Sequence, residues 1–423
     1  MILEVRYKDT LSVGRLADDP ASGLIYFEYD QQWLQKKSEL SPFHLPLAVG
    51  TSVQAHHEPA LEGLHGLFWD SLPDAWGRAV LEARLATRGI DSERLSPLIQ
   101  LSYLGDRGMG ALSYFPDADS EQDKILEAVS LASMDREASF ILEGKPIEGN
   151  AEEILSLFQA GCSAGGAKPK ILASLQENRL RIGPQIPPKS EGWIIKLSNV
   201  PTGHKDSKQE GRMEYAYSLM ARAANIEMPP TRLFEIDSPK EKMKRGLFGT
   251  QRFDRSAAEK IHVHSLAGIL QKDFRALEIS YEDFASTALE LTGDFSQLEQ
   301  ILRRLVFNVI AGNYDDHAKN HCFLMNTIGK WRLAPAFDLT LSPGINKRKL
   351  HAMSVNGTRT PQRKDLGIFA AHFGLTCLDT ILEEVITSIE RWSQWAEQAG
   401  CRDGNIKKGK MKLEESLSVF FAI

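Results

Sequence analysis

The chain has 423 residues, 42% hydrophobic and 25% charged, with a formal net charge of −6. That length exceeds one ordinary core and predicts two or three packed units, and the acidic balance excludes broad, sequence-independent binding to nucleic acid. Four scattered cysteines (Cys162, Cys322, Cys377, Cys401) argue against a disulfide framework or structural zinc, and no run is apolar enough to span a bilayer, so a cytoplasmic enzyme without a membrane partner is expected.

In chain order, residues 1–9 alternate like an edge strand and lack the apolar core of a signal peptide. Alternating stretches such as Ile25-Tyr26-Phe27-Glu28-Tyr29 and helical pieces such as Ala79 to Thr87 make residues 1–116 a mixed α+β subdomain. The acidic stretch from Asp117 to Lys124 reads as a surface connection, and a second mixed section covers 126–255. Within it, Gly161-Cys162-Ser163-Ala164-Gly165-Gly166-Ala167-Lys168-Pro169-Lys170 precedes an apolar run from Ile171 to Leu175. Small residues there let backbone N–H groups approach a phosphate, although the spacing matches neither common phosphate-loop pattern and a surface turn is the other reading. The strand Gly192-Trp193-Ile194-Ile195-Lys196-Leu197 carries one lysine. A buried ammonium needs an anion, so Lys196 either leaves an edge strand for solvent or faces phosphate, with Glu214 of the following helical stretch as its partner and Glu210 as the alternative.

Residues 256–423 read as mainly helical. Leu302, Leu305, Val306, Val309 and Ile310 recur at helical spacing and predict a buried helix that stops at Ala311-Gly312. Next comes Asn313-Tyr314-Asp315-Asp316-His317-Ala318-Lys319-Asn320, then a β-hairpin through Cys322–Met325 and Trp331–Leu333, then Ala336-Phe337-Asp338-Leu339. An Asp followed five positions later by an Asn, and then by an isolated Asp after a strand, is the catalytic-loop and metal-loop layout of kinases. Asp315 suits the base that orients an attacking hydroxyl, while an Asn320 amide oxygen and an Asp338 carboxylate suit magnesium. Leu378, Ile381, Leu382, Val385, Ile386, Ile389 and Trp392 predict one long amphipathic helix, and the basic runs Lys347-Arg348-Lys349 and Lys407 to Lys412 read as solvated surface. Three other readings stand beside phosphoryl transfer: a turn rich in turn-forming residues, a metal-dependent hydrolase with His317, His321 and Asp338 as ligands, and a non-catalytic module on a kinase fold.

Five segments carry a family resemblance: Gly-Gly-Ala-Lys-Pro-Lys, Ile-Ile-Lys-Leu, Gln251-Arg252-Phe253-Asp254-Arg255, Asn-Tyr-Asp-Asp-His-Ala-Lys-Asn and Pro335-Ala336-Phe337-Asp338-Leu339. They occur in the order seen in the HipA family of serine/threonine kinase toxins, and the chain resembles that family over nearly its whole length. Phe68 to Arg78 and Gly105 to Leu112 are similar to the family's accessory N-terminal subdomain. The resemblance implies a two-lobed α+β kinase-like fold, with a mixed α/β N-terminal lobe (accessory subdomain, residues 1–116, and nucleotide-binding section, residues 126–255) and a mainly helical C-terminal lobe (residues 256–423). It implies ATP and magnesium as cofactors, a phosphate-binding loop of Ser163, Ala164, Gly165, Gly166, Ala167, Lys168 and Lys170 that is switched off when Ser163 is autophosphorylated, and Lys196 on the α- and β-phosphates. It also implies adenine contacts through the backbones of Gln251 and Phe253, a ribose contact from Asp254, and His317 as a brace for the catalytic loop. Gln251 departs from the acidic residue frequent at that place, and Ile261 to Ala267 departs from a more polar version. The implied partners are a HipB-like helix-turn-helix antitoxin, DNA only through that antitoxin, and a translation component such as an aminoacyl-tRNA synthetase as substrate.

Overall fold

The computed structural model describes residues 1–53, 58–91, 95–119, 130–143, 155, 157–158, 160–161, 168–197, 209–237, 244–256, 259–342 and 348–421. The fold is mixed α/β and divides into two compact units, the first made of residues 1–208, 234–264 and 325–329 and the second of the remainder.

The first unit holds two five-stranded sheets. One has the order β4-β3-β2-β1-β5, with β1 Ile2–Tyr7, β2 Leu11–Asp18, β3 Ile25–Tyr29, β4 Thr51–Val53 and β5 Leu112–Phe115. The expected edge strand at the start of the chain is therefore interior: β1 pairs antiparallel with both β2 and β5. Its alternation reports one buried face, with Leu3, Val5 and Tyr7 in the core, and alternation of that kind is shared by edge and interior strands. The second sheet has the order β7-β6-β8-β10-β9, with β6 Lys170–Gln176, β7 Arg179–Ile182, β8 Glu191–Lys196, β9 Thr231–Ile236 and β10 Arg245–Gln251.

One face of this second sheet is covered by helices from earlier in the chain. The helix Ala75–Thr87 starts where the Asp74 side chain accepts the Gly77 N–H, and it sends Trp76, Val80, Leu81 and Leu85 into a core with Ile171, Ala173, Trp193 and Ile195. The Trp76 indole donates to the Lys170 carbonyl at 3.0 Å, so its polar edge is satisfied where its ring is buried. Residues from both 1–116 and 126–255 thus share one core.

The second unit is mainly helical. Its central helix, Ser296–Ile310, ends as predicted at Ala311, and Gly312 follows at φ +70°, a left-handed turn that favours glycine. The helix Glu210–Ala223 lies in sequence between strands of the first unit but packs here: Tyr217 donates to the Ala311 carbonyl at 3.0 Å and Arg212 to the Ala399 carbonyl at 3.0 Å. The long amphipathic helix expected through Trp392 is two helices, Leu378–Glu390 and Trp392–Gln398, which separate at Arg391. Trp392 turns its ring onto the last helix, Asp403–Phe420, where Gly409 leaves room for it, and its indole donates to the Ile406 carbonyl at 3.0 Å.

Candidate active site

The segment 311–320 connects the central helix to the strand Cys322–Met325, and every residue singled out in it is described. Its two adjacent aspartates have opposite surroundings. The Asp315 side chain is 69% exposed and the Asp316 side chain is wholly buried. Both oxygens of Asp316 are occupied: Oδ2 accepts from Tyr281 Oη at 2.8 Å and lies 2.9 Å from His351 Nδ1, while Oδ1 accepts the Ala352 N–H at 2.8 Å. Burial alone would raise its pKa, but the interaction with His351 and these hydrogen bonds outweigh it and hold the carboxyl below the ordinary value. Asp316 is therefore a fixed anion inside the fold, and Asp315 is the carboxylate that meets solvent.

The rest of the loop is ordered around Asp315. The Asn320 amide donates to the Asp315 carbonyl at 2.9 Å, which holds the loop in a tight turn and leaves the amide oxygen as the group available to a cation. His317 Nε2 lies 4.0 Å from Asp315 Oδ1, and its ring packs on Phe274 with centroids 4.7 Å apart. Burial lowers the His317 pKa, and the carboxylates of Asp315 and Asp338 both oppose that shift. The two acidic residues named from sequence thus act on one imidazole although 23 positions separate them.

Asp338 is delivered by the hairpin's second strand, Trp331–Leu333. Arg304 of the central helix donates to the Ala334 carbonyl at 2.7 Å, and the Ala336 N–H donates to the Glu227 carbonyl at 2.8 Å, so the approach to Asp338 is pinned at two points. Asp338 itself has φ +55°, a left-handed backbone that costs a non-glycine residue about 1 kcal/mol or more. Such strain persists only where the surroundings impose it, and here it falls on the proposed metal ligand.

His321 does not join this group. It is buried, with its ring on Phe284 at a centroid distance of 4.5 Å, and burial with the nearby Arg304 charge pushes its pKa down to about 3. Among the described residues no three His, Cys, Asp or Glu side chains converge as a metal cage, so the hydrolase set of His317, His321 and Asp338 is not assembled.

In the first unit, Lys170 of β6 and Lys196 of β8 are cross-strand partners, only 4% and 9% exposed. Because Ile171, Ala173, Trp193 and Ile195 fill the helix-covered face, alternation puts both lysines on the opposite face, where the Lys196 ammonium lies 5.8 Å from the Phe248 ring centroid. Lys196 thus ends an interior strand, and the edge-strand alternative fails. Lys168 is described and half-buried, whereas Ser163, Ala164, Gly165, Gly166 and Ala167 lie outside the described residues. Glu214 is buried on the helix Glu210–Ala223 of the second unit.

The segment after β10 departs from expectation at one residue. Gln251 and Phe253 are half-buried, but Asp254 is wholly buried. Its Oδ1 accepts from Arg252 Nε at 2.9 Å, and its Oδ2 accepts from Arg252 at 2.7 Å, Arg255 at 2.6 Å and the Gly110 N–H at 2.8 Å. Burial would raise its pKa, but the two guanidinium charges hold it well below the carboxylate range. With its side chain wholly buried among these donors, Asp254 does not present a carboxylate at the surface for a ribose. The residue instead ties the segment to Gly108 and Gly110, glycines of the Gly105–Leu112 motif, since Arg255 also donates to both of their carbonyls.

His351, Tyr281 and Asn308 are site-supporting residues that the motifs did not reveal. They lie 35, 35 and eight positions from Asp316, so local periodicity carries no trace of their meeting. A single hint was the second aspartate of the Asp315-Asp316 pair.

Comparison with known proteins places these features in a family. Residues 3–115 match the HipA N-terminal domain, and residues 162–395 match the HipA-like C-terminal domain. Y4dM of Sinorhizobium fredii, which its name makes a candidate kinase, is 25% identical over 189 residues, covering 42% of this chain. The match spans 44% of that relative's length. The HipA–HipB–operator DNA complex of Shewanella oneidensis MR-1 superposes with a TM-score of 0.66 at 15% identity, covering 99% of this chain and 97% of its counterpart, a likeness of fold. A weaker overlap, TM-score 0.42 at 13% identity over 60% of this chain and 90% of the other, is found with the Helicobacter pylori proinflammatory kinase CtkA. The chain belongs to the HipA family.

Proposed function

We propose that the protein is an ATP- and magnesium-dependent serine/threonine protein kinase with the two-lobed arrangement of that fold. The accessory subdomain covers residues 1–116, the nucleotide-binding section residues 126–255 and the C-terminal lobe residues 256–423. The observation that carries this reading is the geometry of the 311–320 loop: an exposed Asp315 carboxylate 4.0 Å from the His317 ring, with the Asn320 amide donating to the Asp315 carbonyl at 2.9 Å. Asp315, exposed and not locked in hydrogen bonds like its neighbour, orients a hydroxyl and accepts its proton. Asn320 and Asp338 offer the oxygens that a hard divalent cation takes, and such a cation neutralises charge on the phosphates when bound. Lys170 and Lys196 hold the phosphates from the sheet face, with Lys168 beside them, and the backbones of Gln251 and Phe253 receive the base.

Ser163 and the small residues after it form the phosphate loop in this reading. Phosphorylation of Ser163 adds roughly two negative charges beside the nucleotide and so opposes its binding. Phosphopeptide mapping that finds the modification elsewhere counts against that assignment. A HipB-like antitoxin is the proposed partner, on the strength of the Shewanella complex, and a translation component such as an aminoacyl-tRNA synthetase is the proposed substrate. Calorimetric titration of ATP in magnesium tests the core of the reading. The protein should bind ATP at least tenfold more tightly with magnesium than with EDTA, and an Asp338→Ala variant should lose that difference. Equal magnesium dependence in both removes Asp338 from the metal site.

A further inference from the structure

Behind the exposed loop lies a buried polar chain that the proposed chemistry does not use. Asn313 Nδ2 donates to Asn308 Oδ1 at 2.9 Å, Asn308 Nδ2 donates to Tyr281 Oη at 2.9 Å, and Tyr281 Oη donates to Asp316 Oδ2 at 2.8 Å. The chain ends on residues 351–352, where His351 Nδ1 and the Ala352 N–H meet the two Asp316 oxygens. The same short segment is held to the loop twice more. The Ala352 N–H also reaches the Tyr314 carbonyl at 3.1 Å, and the Tyr314 and His351 rings meet at a tilt of 53° with centroids 4.9 Å apart. Arg359 fixes the far side by donating to the carbonyls of His351, at 3.1 Å, and Ala352.

The chemistry of this arrangement needs a carboxylate. Three donors converge on Asp316, and an ionised carboxyl is acceptor-only on both oxygens. An asparagine would turn its NH2 toward the Ala352 N–H or toward the Tyr281 and His351 donors, setting donor against donor. Asp315 and Asp316 share a peptide unit, so clamping the side chain of one limits where the backbone can aim the other. The segment that follows Asp338 is thereby docked onto the loop that carries Asp315.

We infer that Asp316 and His351 are a positioning pair: by locking residues 351–352 onto the 313–317 loop they hold Asp315 in the orientation required for phosphoryl transfer, without touching substrate. This rests on the kinase reading. It predicts a defect in turnover with little change in nucleotide affinity, because the lysines and metal ligands are not members of the clamp.

The experiment compares the full-length protein with His351→Phe and His351→Asn, scoring transfer from ATP to a generic protein acceptor together with calorimetric ATP and magnesium binding. His351→Phe removes the donor and should lower kcat at least tenfold while the ATP Kd and KM stay within about twofold. His351→Asn places an amide N–H near the Nδ1 position and should recover turnover to within about threefold of the parent. If His351→Phe does not fold, Tyr281→Phe deletes only one of the three donors and should lower kcat at least threefold with unchanged ATP affinity. Parent-like turnover in the folded His351→Phe protein, or in Tyr281→Phe where that variant stands in, overturns the pair. A variant whose nucleotide affinity falls in step with its turnover does so too. Absence of transfer by the parent, with nucleotide binding also absent, overturns the kinase reading itself and is distinguished from failure of the pair by that control.

Discussion

Neighbouring residues of one type can have unlike roles, and burial decides which. Asp315 and Asp316 are identical in sequence terms, yet one faces water and the other is held by three donors inside the protein. The spacing to Asn320 singles out Asp315, and the exposure agrees. Lys170 and Lys196 are legible in the sequence as isolated cations next to apolar runs, but their cross-strand pairing becomes visible only with the register of β6 against β8. The phosphate role proposed for this pair sets the prediction for single replacements. Lys196→Met should weaken ATP affinity at least tenfold by calorimetry, and unchanged affinity removes Lys196 from the phosphate site. Asp254 shows the opposite case. Its place in a family segment points to ribose, whereas its ion pairs are with the neighbouring Arg252 and Arg255, and its bond from Gly110, 144 positions away, is a fact of the fold that no local pattern encodes.

At the scale of elements, periodicity is a sound guide to existence and a poor one to context. The helix before Gly312 and the hairpin before Asp338 are readable because an apolar stripe and a Gly-containing turn mark them. The first strand's alternation does not distinguish an interior strand from an edge, and the apolar stripe through Trp392 runs across a helix break at Arg391. The basic run at 407–412 reads as solvated surface, and its four lysines are exposed, but Gly409 among them is buried. A Cβ built on Gly409 would stand 2.5 Å from the Trp392 ring. Alanine ordinarily favours a helix over glycine by about 1 kcal/mol, but forcing an indole out of a packed site costs about 1–3 kcal/mol. Gly409→Ala should therefore lower the melting temperature, by a few degrees. A rise would show that the indole yields without strain.

The whole molecule carries buried histidines whose protonation is linked to folding. Burial, with a smaller contribution from a neighbouring histidine in each case, pushes the pKa of His65 down to about 4 and that of His262 down to about 3. In the unfolded chain each would titrate near the ordinary histidine value of about 6.5. Between those limits the unfolded state binds more protons than the native one, so stability is full above about pH 6.5 and falls as the medium becomes more acidic. Each residue should cost about 2 kcal/mol between pH 6.5 and pH 5 by this linkage. Melting curves should shift to lower temperature over that interval, and a flat profile would contradict the burial of these rings as neutral groups. Below about pH 4 the depressed carboxyls of Asp254 and Asp316 add to the loss in the same direction, as their charged forms are the ones the fold stabilises.

The central claim is that an exposed aspartate on the 311–320 loop assists transfer of phosphate from ATP to a hydroxyl. Its most direct measurement is the rate at which purified protein moves the labelled γ-phosphate of ATP onto protein acceptors in magnesium, beside an Asp315→Asn variant of equal melting temperature. The account predicts transfer by the parent and a rate lower by about 10²–10⁴ in the variant, the range typical of a lost general base. Equal rates in the two proteins, or no transfer by a parent that binds ATP and magnesium, would contradict it.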